Sequence, residues 1–258
     1  MELSIIIVSW NVRDVLEQCL RSIFKTHGDI SLEVIVVDNN SQDGTARMIH
    51  EKFSEVVLIG NPNNRGFAVA NNQGILRARG EFLLLLNPDT ELQTGTLANA
   101  LHFLRAKPQA GVVGCKHLNS DRTLQPSVRR FPTFWPIFWM LLKIPKVFPD
   151  IPSVSSYYAR DFDYKFENQV EQVAGSFFLM RRKVIDEIGM LDENFFIWFE
   201  EVDFCKRALA AGWQIWYTPN AVIVHYGGQS FAQELRWRNQ KHFFQSAWYY
   251  LRKHGFFR

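Results

Sequence analysis

Three short acidic stretches carry the residue types best suited to chemistry: Val37-Asp38-Asn39-Asn40-Ser41, Asn87-Pro88-Asp89 and Glu200-Glu201-Val202-Asp203. The first two follow apolar runs of β character, 34–37 and 82–86, so Asp38 and Asp89 are expected at strand ends. In an open α/β sheet that carboxyl edge is where ligands bind. Carboxylates gathered there without a Cys and His cluster suit a hard cation with oxygen ligands, the kind that bridges phosphates. The third stretch opens a helix. It can supply a general base, or its acids can simply complement the helix dipole. An enzyme acting on a nucleotide-linked substrate would use all three.

The elements that must position these acids follow from the apolar pattern. Runs at 3–9, 32–38, 56–59, 82–86 and 112–115 read as strands, and helical spacing fills 12–24, 45–53, 67–78 and 96–106. This alternation predicts an α/β fold with a mostly parallel central sheet and helices on both faces. Regular structure resumes at 169–180, with helices at 183–188 and 201–211, strands at 214–217 and 221–225, and a mostly helical 230–254. The second half offers too few strands to close its own sheet. One domain over 1–228 is therefore expected, with a nucleotide-binding half at 1–118 and an acceptor and catalytic half at 165–228. The proline- and aromatic-rich stretch 129–163 reads as an apolar mobile loop, and 229–258 as a basic, aromatic helical segment.

Bulk properties narrow the class. At 258 residues the chain can bury a sizeable core. A net charge of +3 gives no reason to expect nucleic acid as a partner. Cys19, Cys115 and Cys205 are widely spaced and form no CxxC pair, which fits a reduced cytosolic setting. The N-terminus runs directly into an apolar strand without a basic leader, so no signal peptide is read. No stretch reaches the roughly 18 to 20 apolar residues of a membrane span.

Two familiar phosphate binders are absent. No glycine precedes Gly28, so the turn after the first strand is not a G-x-G-x-x-G loop, and no G-x-x-x-x-G-K-[ST] occurs. Asp38 could accept a hydrogen bond from a pyrimidine ring N–H, while Asn39, Asn40 and Ser41 build the turn. Ser41 or Asp43 is expected to cap the next helix.

Several motifs in order carry a resemblance: Ser4-Ile-Ile-Ile-Val-Ser-Trp-Asn, Val36-Val-Asp-Asn-Asn-Ser-Gln-Asp-Gly-Thr, Asn64-Arg-Gly-Phe-Ala-Val-Ala-Asn-Asn, Leu84-Leu-Leu-Asn-Pro-Asp, Gly175-Ser-Phe-Phe-Leu-Met-Arg-Arg, Glu200-Glu-Val-Asp-Phe-Cys and Val224-His-Tyr-Gly-Gly-Gln-Ser. Together they resemble family 2 glycosyltransferases of the GT-A fold, nearest the rhamnosyltransferase-like branch, over all but the aromatic loop. The resemblance implies that Ser9, Asn11, Asp38 and Asn40 serve the nucleobase and ribose, and that Arg65, Gly66 and Asn71 approach the nucleotide and its phosphates. Asn87-Pro88-Asp89 stands where the family carries DxD, so Asp89 would bind Mg²⁺ or Mn²⁺ and Asn87 a ribose hydroxyl. His225 would complete the metal site. Glu201 stands at the family's catalytic aspartate, one methylene longer, with Asp203 and Glu200 as the other candidates for the base. The implied reaction is inverting transfer from a nucleotide diphosphate-sugar to a saccharide or lipid-linked saccharide, with dTDP-L-rhamnose first and a UDP-sugar second. A sugar-1-phosphate nucleotidyltransferase is a rival reading, although Ser9-Trp10-Asn11 lacks the Gly- and Arg-rich loop such an enzyme wants. A non-catalytic nucleotide-sugar binder is another, suggested by Asn87 and Glu201 in place of aspartates.

Phe134, Trp135, Phe138, Trp139, Met140 and Leu141, flanked by Arg129, Arg130, Lys143 and Lys146, could meet a bilayer interface. Trp237, Phe243, Phe244, Trp248, Tyr249 and Tyr250 could extend that surface. Packing on the core or in a homo-oligomer is the alternative. The first reading would place the chain in the cytoplasm, peripherally on the inner face of the membrane.

Overall fold

A computed structural model describes residues 1–227 and 236–256, with side chains from 240 onward in the second stretch. Gly228, Gln229 and Ser230 of the last motif, the side chains of Arg236, Trp237 and Arg238, and Arg258 lie outside the described residues.

The apolar runs form β1 (Leu3–Ser9), β2 (Leu32–Asp38), β3 (Val57–Gly60) and β4 (Phe82–Leu86), all mutually parallel along the order β3-β2-β1-β4. The helices between them are α1 (Arg13–Thr26), α2 (Thr45–Lys52) and α3 (Phe67–Arg77). Successive strand side chains point to opposite faces, so Leu3, Ile5 and Ile7 join one buried cluster with α1 and α2, while Ile6, Ile35 and Val37 join another with α3. A strand buried on both faces needs continuous apolar sequence, which these runs supply.

After β5 (Thr90–Leu92) and α4 (Thr96–Ala106) come β6 (Ala110–Leu118), β7 (Leu124–Gln125) and β8 (Val128–Arg129). The stretch expected as a loop is partly helical, with α5 (Phe134–Leu141), a 3₁₀ turn at Ile144–Lys146 and α6 (Pro152–Tyr157). Its prolines misled because Pro136 and Pro152 fall in first helical turns, where a missing N–H costs nothing. Then follow β9 (Asn168–Gln169), β10 (Gln172–Val173), β11 (Phe177–Arg181), α7 (Arg182–Ile188), α8 (Glu200–Ala210), β12 (Gln214–His225) and α9 (Arg236–His254). The main sheet continues β4-β11-β6-β12-β5, with β11 antiparallel between β4 and β6.

Two differences matter for the site. The strands expected at 214–217 and 221–225 are one strand, β12, whose register shifts between Thr218 and Val222, around Pro219. Three-residue β5 was too short to read from sequence. It pairs antiparallel with β12, His225 opposite Thr90, and so brings the end of the Asn87-Pro88-Asp89 turn beside His225.

Candidate active site

The carboxyl ends of β1 and β2 finish level, with Ser9 opposite Asp38. Ser9 Oγ is buried with no partner, which leaves a donor and acceptor available to a ligand. Asp38 accepts from the backbone N–H of Ser41 at 3.0 Å and from the Ser41 hydroxyl. Asn11, at φ 53°, donates its N–H to Ser41 Oγ (2.9 Å), while its side-chain oxygen accepts from Gln42 N–H (2.7 Å). The two loops thus hold one another. Asn40 is exposed at φ 67° and accepts from the Gln42 amide. The N-cap of α2 is Gly44, with no side-chain cap bond, rather than Ser41 or Asp43; Asp43, just before it, accepts from Thr45 N–H (3.1 Å).

Asn39, expected only as a turn residue, is the buried hub of this edge. Its side-chain oxygen accepts from Asn61 (2.8 Å) and from Arg65 N–H (3.4 Å), and its amide donates to the Gly66 carbonyl (3.2 Å). It fastens the 61–66 loop over β2. Gly66 sits at φ 84°, ψ 177°. A Cβ there would stand 2.5 Å from the Phe196 carbonyl, so only glycine fits. Arg65 keeps an exposed side chain at the rim. Asn71 does not reach the cleft: it is 1% exposed and donates to the Phe67 carbonyl (2.9 Å), supporting the first turn of α3.

The Asn87 backbone N–H donates to Ser176 O (3.1 Å), and its carbonyl accepts from Thr90 Oγ1 (2.7 Å), fixing the turn into β5. Asp89 Oδ1 lies 3.3 Å from His225 Nε2. His225 Nδ1 faces Gln125 Oε1 at 2.7 Å. The Gln125 amide nitrogen donates to Asn119 Oδ1 and His225 O, which fixes that amide's orientation. An amide oxygen only accepts, so Nδ1 carries a proton, and in the neutral ring it is Nε2 that turns a lone pair toward Asp89. Nε2 is buried and makes no hydrogen bond. Two acceptors facing at this distance invite a cation, and neighbouring ligands of an ion at 2.0–2.1 Å stand roughly 3 Å apart. The pair therefore fits a divalent metal. No third His, Cys, Asp or Glu joins them among the described residues, so the remaining ligands would have to be oxygens of another kind. Beside them His117 is held neutral: burial, and then His225, lower it to about 3.

The acidic start of α8 is aimed by strain. Trp198 and Phe199 both adopt left-handed φ, 65° and 71°, immediately before Glu200. Each such residue costs about 1–3 kcal/mol, offset by packing of Phe199 with Phe243 and Tyr250 of α9. Glu200 is 3% exposed with Oε2 unpartnered, and burial, then Glu201, push its carboxyl well up. Burial also raises Glu201, opposed by its own backbone and by Arg129. Both line one cleft with Asn87, Ser176, Arg129 and His225.

Arg129 is thus a site residue that sequence reading assigned to lipid. Its guanidinium lies over the rings of Tyr157 (5.8 Å) and Tyr158 (5.5 Å), within 3.5 Å of the Tyr157 hydroxyl. Arg130 pairs with Asp161 at the surface, Nη2 to Oδ2 at 2.6 Å. Asp203 is corrected as a candidate base. It is fully buried and accepts from Arg207, Lys253 and His254, each at 2.7 Å, so its carboxylate ties α8 to α9. Tyr250, buried, and Tyr249, bonded to Asp192, also belong to this packing rather than to an open surface.

A mixed sheet whose first four strands run parallel, with strand-end acids, a buried Asp–His pair and a carboxylate cleft, fits a GT-A-like glycosyltransferase. Residues 4–189 match the model of glycosyl transferase family 2, and the chain belongs to that family. It is 27% identical over 244 residues to N-acetylglucosaminyl-diphospho-decaprenol L-rhamnosyltransferase of Mycobacterium tuberculosis, covering 90% of this chain and 78% of that one. It is 26% identical over 245 residues to rhamnosyltransferase WbbL of Escherichia coli K12, covering 90% and 88%. Among solved structures, the mannosyltransferase PcManGT of Pyrobaculum calidifontis, in complex with GDP-Man and Mn²⁺, superposes with a TM-score of 0.64 at 20% identity, over 97% of this chain and 64% of that one. The chain is therefore a glycosyltransferase, which sets aside the nucleotidyltransferase and non-catalytic readings. No described helix is long and apolar enough to cross a membrane.

Proposed function

We propose that the chain catalyses inverting, metal-assisted transfer from a nucleotide diphosphate-sugar, dTDP-L-rhamnose first and a UDP-sugar second, to a hydroxyl of a cell-surface or lipid-linked saccharide. The observation that carries this reading is the single cleft holding Glu201, Arg129 and Asn87, with His225 beside Asp89. The rhamnosyltransferase names of two relatives support the donor, and the diphospho-decaprenol acceptor of one supports a lipid-linked saccharide.

Ser9, Asn11, Asp38 and Asn40 hold the nucleobase and ribose, Asn87 accepts from a ribose hydroxyl, and Arg65 meets the diphosphate at the rim. Mg²⁺ or Mn²⁺ on Asp89 and His225 would offset the charge of the leaving diphosphate. Glu201 takes the proton of the acceptor hydroxyl as that oxygen bonds to the anomeric carbon. The bond from that carbon to the diphosphate oxygen breaks on the opposite face, and the electron pair leaves with the nucleotide. Burial and Glu201 push the Glu200 carboxyl up, while Arg129 opposes the rise at Glu201, which favours Glu201 as the charged member of the pair.

A thermal-shift panel of nucleotide-sugars, with and without Mn²⁺, tests the reading. The donor should raise the melting temperature only with metal present. No stabilisation and no turnover with any dTDP-, UDP- or GDP-sugar would contradict it.

A further inference from the structure

Lys241, Phe244, Trp248 and Arg252 of α9 are all exposed. Steps of three and four residues place them within an arc of roughly 80° on one face. Phe244 and Trp248 are 53% and 48% exposed, and Trp135 at the start of α5 is 49% exposed. These rings form one surface. Trp248 meets Phe256 at 5.7 Å, Phe256 meets Phe134 at 6.4 Å, and Phe134 meets Trp135 at 5.3 Å. The Phe134 N–H donates to Phe256 O at 3.1 Å, joining the two helix ends. No Asp or Glu occurs from 236 to 258. The carboxylates that α9 does meet, Asp192 and Asp203, are bound by Lys253, Tyr249 and His254.

We propose that this aromatic and basic face of α9, with the start of α5, docks on the headgroup region of an anionic lipid bilayer. Half-exposed indoles suit a zone that is apolar on one side and wet on the other. Cations at both ends of the stripe suit lipid phosphates. A second copy of the chain is the poorer occupant: a two-fold contact would set this stripe against itself, cation facing cation with no acid between. Ser246 of α9 donates to Ile197 O (2.8 Å), and Ile197 and Trp198 wall the cleft that holds Glu201. Ser246 faces away from the exposed stripe, so α9 itself stands between the docked bilayer and that wall. The docking needs no sugar and stands apart from the lipid-linked acceptor proposed above.

The test is co-sedimentation of the full chain with vesicles of phosphatidylglycerol and phosphatidylcholine, against phosphatidylcholine alone. The chain should pellet with the anionic vesicles and leave them as salt rises. Lys241→Glu with Arg252→Glu, or Phe244→Gln with Trp248→Gln, should weaken binding more than about tenfold with an unchanged melting temperature. A wild-type chain that stays in the supernatant, or variants that pellet like it, would overturn the proposal. So would a dimer that Trp248→Gln dissociates in a chain that binds no vesicle. Vesicle binding without transfer activity would retain the docking surface and count only against the proposed reaction.

Discussion

Glu201 and Asp203 sit two residues apart on α8, and their surroundings give them opposite work. Glu201 opens to a cleft with one cation nearby, while Asp203 is closed in by Arg207, Lys253 and the ring of His254. Burial alone would raise Asp203, but bonds from His254, Lys253 and Arg207 outweigh it and hold the carboxyl low. Asp192 follows the same pattern through Lys253, Asn194 and Tyr249, reaching about 2 against 3.8. A folded value below the unfolded one means that this stability is complete above the unfolded value and is lost as pH falls through the folded one. Melting temperature should accordingly fall steeply between about pH 4 and pH 2, and Asp203→Ala should flatten part of that slope while costing about 3–5 kcal/mol at pH 7 in urea unfolding. Arg129→Gln acts the other way, on catalysis. Without the guanidinium the Glu201 carboxyl rises further, so the acid limb of the kcat/KM profile should move to higher pH. An unmoved limb would contradict the pairing. The acids themselves were legible in sequence because strand ends and helix starts announce them. Arg129 was not, since its partners Tyr157 and Tyr158 lie almost thirty residues on, in a helix that the prolines concealed.

At the scale of elements, short pieces do the positioning. β5 sets Asp89 against His225, and the left-handed pair Trp198-Phe199 turns Glu200 and Glu201 into the cleft. Neither leaves a periodic trace, because three residues are too few to show alternation and left-handed backbone at Trp and Phe is imposed by packing, not by preference. The long strands and helices were readable for the opposite reason, since their apolar periods run for two turns or more. The contact between the 61–66 loop and Phe196 gives a direct test. Gly66→Ala should lose at least about 2 kcal/mol in urea unfolding, because the new Cβ meets the Phe196 carbonyl while φ stays left-handed. A variant as stable as the parent would mean that the loop does not pack there.

For the whole molecule, the strand-end edge of β1 and β2 and the acid cleft of α8 meet across the Asn87-Pro88-Asp89 turn, so the proposed reaction would run donor and acceptor chemistry along one seam of the sheet. Metal should link them. Donor binding should depend on Mn²⁺ in the parent chain and lose that dependence in Asp89→Ala and His225→Ala, read as the shift in melting temperature with and without ion. The proposed transfer turns on Glu201 as the base. Glu201→Gln, assayed with the donor that stabilises the parent chain, tests it most directly. Donor affinity should stay within about twofold of the parent while the transfer rate falls by about 10²–10⁴. Transfer at the parent rate with intact donor binding would contradict the account.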